Sequence, residues 1–306
     1  MKVVPPGGGL PGRQPSRREG AGGASSICPS VMSTTFSIQR NYHEWGYNPL
    51  KMDAHLYLSP HLDDAVISCG GLMAMQDARG EPVSVLTIFA GDPPHFSISP
   101  LAAELHARWG KVGPPIGMRR AEDRLACGRL GASVAHLQFP DAIYRTDSQG
   151  RPLYPRDETL FSHPGPEEET LIQQVVDSLR EMGVEQARVY CPLAVGGHVD
   201  HRITRLAAER LSVVMAYYHD LPYASRGESM PPEMGEPRGR LERAVLSEEA
   251  IEAWAQAVAE YGSQISTFWE NLDQIYEELR DFHDAHEGLP LLIVTREGGG
   301  VSGNPA

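Results

Sequence analysis

Six short apolar runs, separated by segments with helical periodicity, narrow this chain to one class of architecture. The runs 54–60, 83–90, 133–139, 187–193, 213–219 and 290–296 each set Val, Ile, Leu or Tyr at adjacent positions, as strands covered on both faces do. Between them the pattern predicts helices over 64–79, 116–130, 167–182 and 200–212, and a longer helical region over 247–286. The first helix closes on Ala78-Arg79-Gly80, a cation in the last turn and then a glycine stop. Ser247 is the expected N-cap of the last region, with Glu248 and Glu249 at the positive end of its dipole. This alternation predicts an α/β fold, a doubly wound, mainly parallel sheet with helices on both faces.

Three segments stand outside the alternation: 91–115, 140–166 and 221–246, all rich in Pro and Gly and read here as loops. The first two follow strand ends, the edge at which open α/β sheets bind ligands. Residues 1–36 lack apolar periodicity and read as a disordered leader. They carry basic residues but not the apolar stretch of a signal peptide, and Met32 is an alternative start. Residues 37–297 then form a single catalytic domain, with 298–306 as a disordered tail.

Charge and cysteine usage remove several classes of function. With 40 acidic against 27 basic residues the formal charge is −13, a surface that repels phosphate backbones and weighs against nucleic acid. No apolar run reaches the ~18–20 residues of a membrane span. Cys28, Cys69, Cys127 and Cys191 form no CxxC pair, which removes a cysteine-rich structural zinc site. Three of them sit in apolar patterns and read as buried thiols in a reducing compartment, so the expected location is cytoplasmic. The sequence is compatible with a monomer or a homo-oligomer.

Two clusters carry the chemistry. Ser59-Pro60-His61-Leu62-Asp63-Asp64-Ala65 follows the first strand, and Gly196-Gly197-His198-Val199-Asp200-His201 follows the fourth. Each lies where a strand gives way to a helix, so residues three apart can face the same way. Taken singly, Asp at a helix start is explained as an N-cap, with the histidine incidental. Two such clusters on one sheet edge instead supply the donors of a hydrolytic metal site. Two histidines and one carboxylate with an open position form a known catalytic zinc arrangement. A carboxylate not spent on the ion can take a proton from water, and an unligated histidine can stabilise the oxyanion or protonate the leaving nitrogen.

The ordered pair of motifs resembles the LmbE-like, PIG-L-type N-deacetylases over roughly residues 52–220. The resemblance implies a Rossmann-like fold, Zn2+ (or another divalent metal) held by His61, Asp64 and His201, Asp63 as catalytic base, and His198 as electrostatic or acid partner. Two positions depart from the family pattern: Leu62 stands where its second Pro is usual, and Ala65 where Glu is usual. Arg119, in a segment similar to the family's Arg-x-x-Glu, is a candidate for holding a polar or anionic substrate group. Asp141, common in the family at this place, with Tyr144 and Arg145 in the loop behind it, are candidates for binding sugar hydroxyls. Tyr223 is a candidate pocket wall. Each has a plain alternative as a surface ion pair, a turn carboxylate or a core aromatic. His283 and His286 read as solvated.

The implied reaction is removal of an N-acyl group, most simply acetyl, from an amino sugar such as N-acetylglucosamine or from an amino-sugar conjugate. The alternatives are an amidase that cleaves a larger thiol-sugar conjugate, and a non-catalytic metal- or sugar-binding protein of the same fold.

Overall fold

The computed structural model describes residues 54–94, 98–110 and 114–295. Strands β1 (His55–Ser59), β2 (Val83–Thr87), β3 (Ser133–His136), β4 (Arg188–Pro192), β5 (Val214–Tyr218), β6 (Gly239–Ala244) and β7 (Leu289–Val294) form one sheet in the order β3-β2-β1-β4-β5-β7-β6. The first five are parallel, while β7 runs antiparallel to both β5 and β6. The order turns at β1: β2 and β3 lie on one side of it, β4 and β5 on the other. In an open parallel sheet such a switch point leaves a crevice beyond the strand C-termini. Both histidine–aspartate clusters leave the sheet there, one from β1 and one from β4.

The helices are α1 (Asp64–Ala78), α2 (Pro100–Trp109), α3 (Pro115–Arg129), α4 (Glu169–Glu181), α5 (Val199–Leu211), α6 (Glu248–Val258), α7 (Gly262–Phe268) and α8 (Leu272–Ala285). Every strand and helix predicted from the pattern is present, within a few residues at each end, and 247–286 divides into α6, α7 and α8. Two of the three expected loops hold an α-helix or a strand. Segment 91–115 contains α2, whose Ser99 N-cap accepts from the Ala102 amide at 3.1 Å. Pro100 in its first turn looks like a breaker but is a helix-start residue there. Segment 221–246 contains β6, a polar edge strand whose sequence Gly-Arg-Leu-Glu-Arg-Ala lacks an apolar face. The expected leader 1–36 and tail 298–306 lie outside the described residues.

Helix α1 is buried along most of its length because the sheet lies on one side and α6 on the other. Trp254 of α6 is fully buried, and its Nε1–H reaches the Val66 and Ile67 carbonyls at 2.8 and 3.1 Å. That close approach requires Gly70: a Cβ there would lie 2.4 Å from Trp254 Cδ1. Gly70→Ala is therefore expected to destabilise by about 1–3 kcal/mol through overpacking, although alanine favours helix by about 1 kcal/mol. A denaturation midpoint at or above wild type would refute the steric argument. The described cysteines, Cys69, Cys127 and Cys191, are buried free thiols, as their apolar settings suggested. His283 departs from expectation: it is buried, and its Nε2 accepts the Leu246 amide at 3.1 Å. No described helix is long and apolar enough to cross a membrane.

Candidate active site

The turn after β1 is closed by its own side chains. Ser59 Oγ donates to the His61 carbonyl at 2.6 Å and accepts from the Ala65 amide at 3.0 Å. Asp64 Oδ2 accepts the His61 amide at 2.7 Å, which turns its carboxylate back toward the His61 ring. After β4 the chain passes through Ala194, Gly196 and Gly197, all at positive φ, before α5 begins. His198 is the α5 N-cap, its Nδ1 accepting the Asp200 amide at 3.2 Å. One turn of α5 then brings His201 to the same crevice.

The four imidazole and carboxylate groups converge. Asp64 Oδ2 lies 3.2 Å from His61 Nδ1 and 3.3 Å from His201 Nε2. Around a tetrahedral zinc with bonds of about 2.0–2.1 Å, neighbouring ligand atoms are ~3.3 Å apart. The opposite ring nitrogens are committed elsewhere: His61 Nε2–H donates to Asp200 Oδ2 at 2.9 Å, and His201 Nδ1–H to Asp220 Oδ1 at 2.6 Å. Those carboxylates hold each ring with its inner nitrogen toward Asp64, the usual outer support of a metal-binding histidine. The two separations from Asp64 are those of neighbouring ligands on one divalent ion. His198 completes a cluster with His61 and His201, and Asp141 with Asp200 gathers on the other side of His61.

The field at this point favours positive charge. Burial pulls His201 down, but Asp64 and Asp220 beside it lift its imidazole to about 10. Burial likewise opposes charge on His61, yet Asp141, Asp200 and Asp64 raise it well above the usual histidine range. His198 behaves oppositely: burial and the neighbouring His61 hold it well below that range, leaving a neutral ring. Since its Nδ1 accepts from the backbone, Nε2 carries the hydrogen. Asp63, buried at the start of α1, makes no cap hydrogen bond. Burial pushes its carboxyl up to about 6, against the pull of Arg119.

The five expected substrate-binding residues divide. Asp141 faces the site, its Oδ2 3.8 Å from His61 Nε2, while Oδ1 accepts the Ile143 amide at 3.1 Å. Tyr223 also faces it, its ring edge-on 6.0 Å from His201. Arg119, buried on α3, points Nη2 at Asp63 Oδ2 from 3.4 Å and lies over the Trp109 ring at 4.6 Å. Tyr144 is buried and its hydroxyl shares a 2.5 Å hydrogen bond with His106 of α2. The Arg145 guanidinium is buried between Asp200 and Glu168, with Nε 3.0 Å from Glu168, so it supports Asp200. A substrate hydroxyl would have to displace a buried ion pair to reach it.

Three contributors escaped the sequence reading. Asp200 was noted between the histidines without a role, yet it carries His61, the Ala142 amide and Arg145 together. Asp220, just beyond β5, holds His201 and the Val195 amide. Phe161 stands edge-on to His198 at 5.7 Å between ring centroids. Of these, Asp200 lies within the second motif and Asp220 directly after a predicted strand, whereas Phe161 carries no such signal.

A histidine–carboxylate cluster with outer carboxylate support, at the switch point of a doubly wound sheet, is the arrangement of an α/β hydrolase site. Residues 56–212 match the family model described as "PIG-L: GlcNAc-PI de-N-acetylase", and the chain belongs to that family. It is 31% identical over 230 residues to the 2'-N-acetylparomamine deacetylase of Streptomyces fradiae, spanning 70% of this chain and 75% of the relative. The corresponding deacetylase of Niallia circulans is 29% identical over 187 residues, 56% of this chain and 67% of the relative. The zinc-inhibited form of teicoplanin deacetylase Orf2 superposes with a TM-score of 0.68 at 28% identity, covering 80% of this chain and 100% of that one. The chain is accordingly a hydrolytic N-deacetylase with the expected Rossmann-like fold.

Proposed function

We propose that this chain is a zinc-dependent hydrolase that removes an N-acetyl group from an amino-sugar conjugate. The observation that carries the metal assignment is the pair of 3.2 and 3.3 Å separations joining His61, Asp64 and His201, with both outer ring nitrogens held by carboxylates. These three residues would hold the ion. When bound, zinc supplies a Lewis acid that makes a neighbouring water acidic near neutral pH. The other steps belong to the protein. Asp63 accepts the water proton, its raised pKa suiting exchange near neutrality. Arg119 orients that carboxylate. His198 Nε2–H, neutral and fixed by its backbone acceptor role, donates to the oxyanion that develops as the amide carbonyl is attacked. In this reading Asp141 accepts from sugar hydroxyls. The relatives' named substrates, an acetylated aminoglycoside fragment and a glycopeptide, support a sugar conjugate over a free acyl amide.

The test is acetate release from N-acetylglucosamine and from 2'-N-acetylparomamine by zinc-loaded protein, with product mass separating acetate from a larger acid. Absence of acetate from every amino sugar offered would end this reading. The outer support gives a second test. Asp220→Asn is expected to weaken zinc binding about 10–100-fold, measured by competition with a chromophoric chelator. Unchanged affinity would mean that His201 needs no carboxylate to present its nitrogen.

A further inference from the structure

Deacetylation accounts for the centre of the site but not for its rim. Phe161 ends the short 3-10 turn Asp157–Phe161 and stays 40% exposed, although its ring meets both His198 and Tyr223 edge-on, the latter at 6.4 Å. A lone exposed aromatic on a surface needs no explanation. This one is anchored. Arg202, buried in α5, donates Nη2 to the Phe161 carbonyl at 3.1 Å, Nε to the Gly197 carbonyl at 2.7 Å, and Nη1 to Glu233 Oε1 at 2.5 Å. One guanidinium thus ties the turn bearing Phe161 to the turn bearing His198 and to the segment around Glu233. The ring's position beside the catalytic centre is built into the fold.

Tyr223 and Glu228 face the same turn. A Cβ on Gly196 would lie 2.7 Å from the Tyr223 ring and 3.0 Å from Glu228 Oε2, so both side chains close over that glycine. Gly196 is at φ 78°, which suits it to the position on backbone grounds as well. Glu228 is exposed, and among the described residues no arginine, lysine or histidine pairs with it. The rim therefore offers two aromatic rings beside the catalytic histidines and an uncompensated carboxylate over the neighbouring Gly196. Aromatic rings take the C–H face of a saturated ring and are attracted to ammonium groups, and a carboxylate pairs with the latter directly. The chain's net charge of −13 draws cationic substrates toward it.

We propose that Phe161, Tyr223 and Glu228 form a second subsite that seats an amine-bearing ring of the substrate, adjacent to the sugar whose acetamide is cleaved. The proposal rests on the N-deacetylase reading and narrows its substrate to cationic conjugates. The full-length, zinc-loaded protein is compared with Phe161→Ala and Glu228→Gln on N-acetylglucosamine, a single neutral ring, and on 2'-N-acetylparomamine, whose second ring carries two amines. The ratio of kcat/KM for the two-ring over the one-ring substrate is expected to fall about tenfold in Phe161→Ala, mainly through KM. In Glu228→Gln it should fall about three- to tenfold, and the salt dependence of KM should flatten. A ratio unchanged in both variants overturns the proposal, because a merely structural rim would lower both substrates together. Calorimetric binding of paromamine to the same three proteins reads the subsite without turnover. Weakened binding in both variants, with no acetate released by wild type, would sink the deacetylase reading and keep the subsite. Equal binding by all three would sink the subsite whatever the reaction.

Discussion

Asp63→Asn is expected to keep its metal at wild-type stoichiometry while kcat falls about 10²–10⁴-fold, the span of a general base. The two halves of this expectation come from different atoms. Metal retention follows because Asp64 Oδ2, not Asp63, lies between His61 and His201. Loss of turnover follows because Asp63 is a buried carboxylate without a cap role, faced by Arg119 at 3.4 Å. Burial lifts its carboxyl to about 6, so the deprotonated base is present above that pH and is lost as pH falls through it. Wild-type kcat/KM should accordingly decline on its acidic limb, and a bound cation would shift that limb lower. The asparagine variant should lack the limb. His201→Ala is the control, expected to lose metal and turnover together. Near wild-type rates in Asp63→Asn would remove Asp63 as the base, and loss of metal in that variant would assign it to coordination instead.

Much of the centre could be read from the chain because its donors lie within two short segments, each at a strand end that the apolar pattern located. His61, Asp63 and Asp64 share one turn, and His198 and His201 another, so local spacing carried the geometry. What surrounds them comes from afar. Asp220 reaches His201 from the end of β5, nineteen positions along the chain, and its position acquires meaning only once β4 and β5 are known to be neighbours. Arg145 is the harder residue to place from sequence. An arginine in a loop behind a strand looks available to substrate, but the loop folds inward and Glu168 arrives from the start of α4 to enclose it. The fold shows the same division. Helices and central strands announce themselves through burial, whereas β6 is an edge with mostly exposed side chains and α2 is introduced by a proline in a proline-rich segment.

Arg145→Met is expected to destabilise the protein by about 3–5 kcal/mol, since it strands two buried carboxylates without their cation. For a chain of this size that is about 2–4 °C of Tm for each kcal/mol. Arg145 lies between Asp200, which holds His61, and Glu168, which also accepts from Tyr154. Its side chain sits over Phe89 and Tyr154 at 5.2 and 5.4 Å, so methionine preserves much of the packing and isolates the loss of charge. Burial already raises Glu168, and Arg145 is what restrains that rise. Without the cation its folded-state pKa climbs further above the unfolded value of about 4.3. A group raised in this way stabilises the fold below its unfolded value, and that contribution disappears as pH rises through the folded one. The Tm gap between variant and wild type should therefore be narrower at pH 5 than at pH 8, and Glu168→Gln added to Arg145→Met should recover part of the loss. A substrate-binding arginine would behave otherwise, raising KM while leaving Tm and its pH dependence unmoved. Thermal denaturation across pH thus decides between an arginine that contacts substrate and one that acts through Asp200 to keep the His61 ring turned toward Asp64.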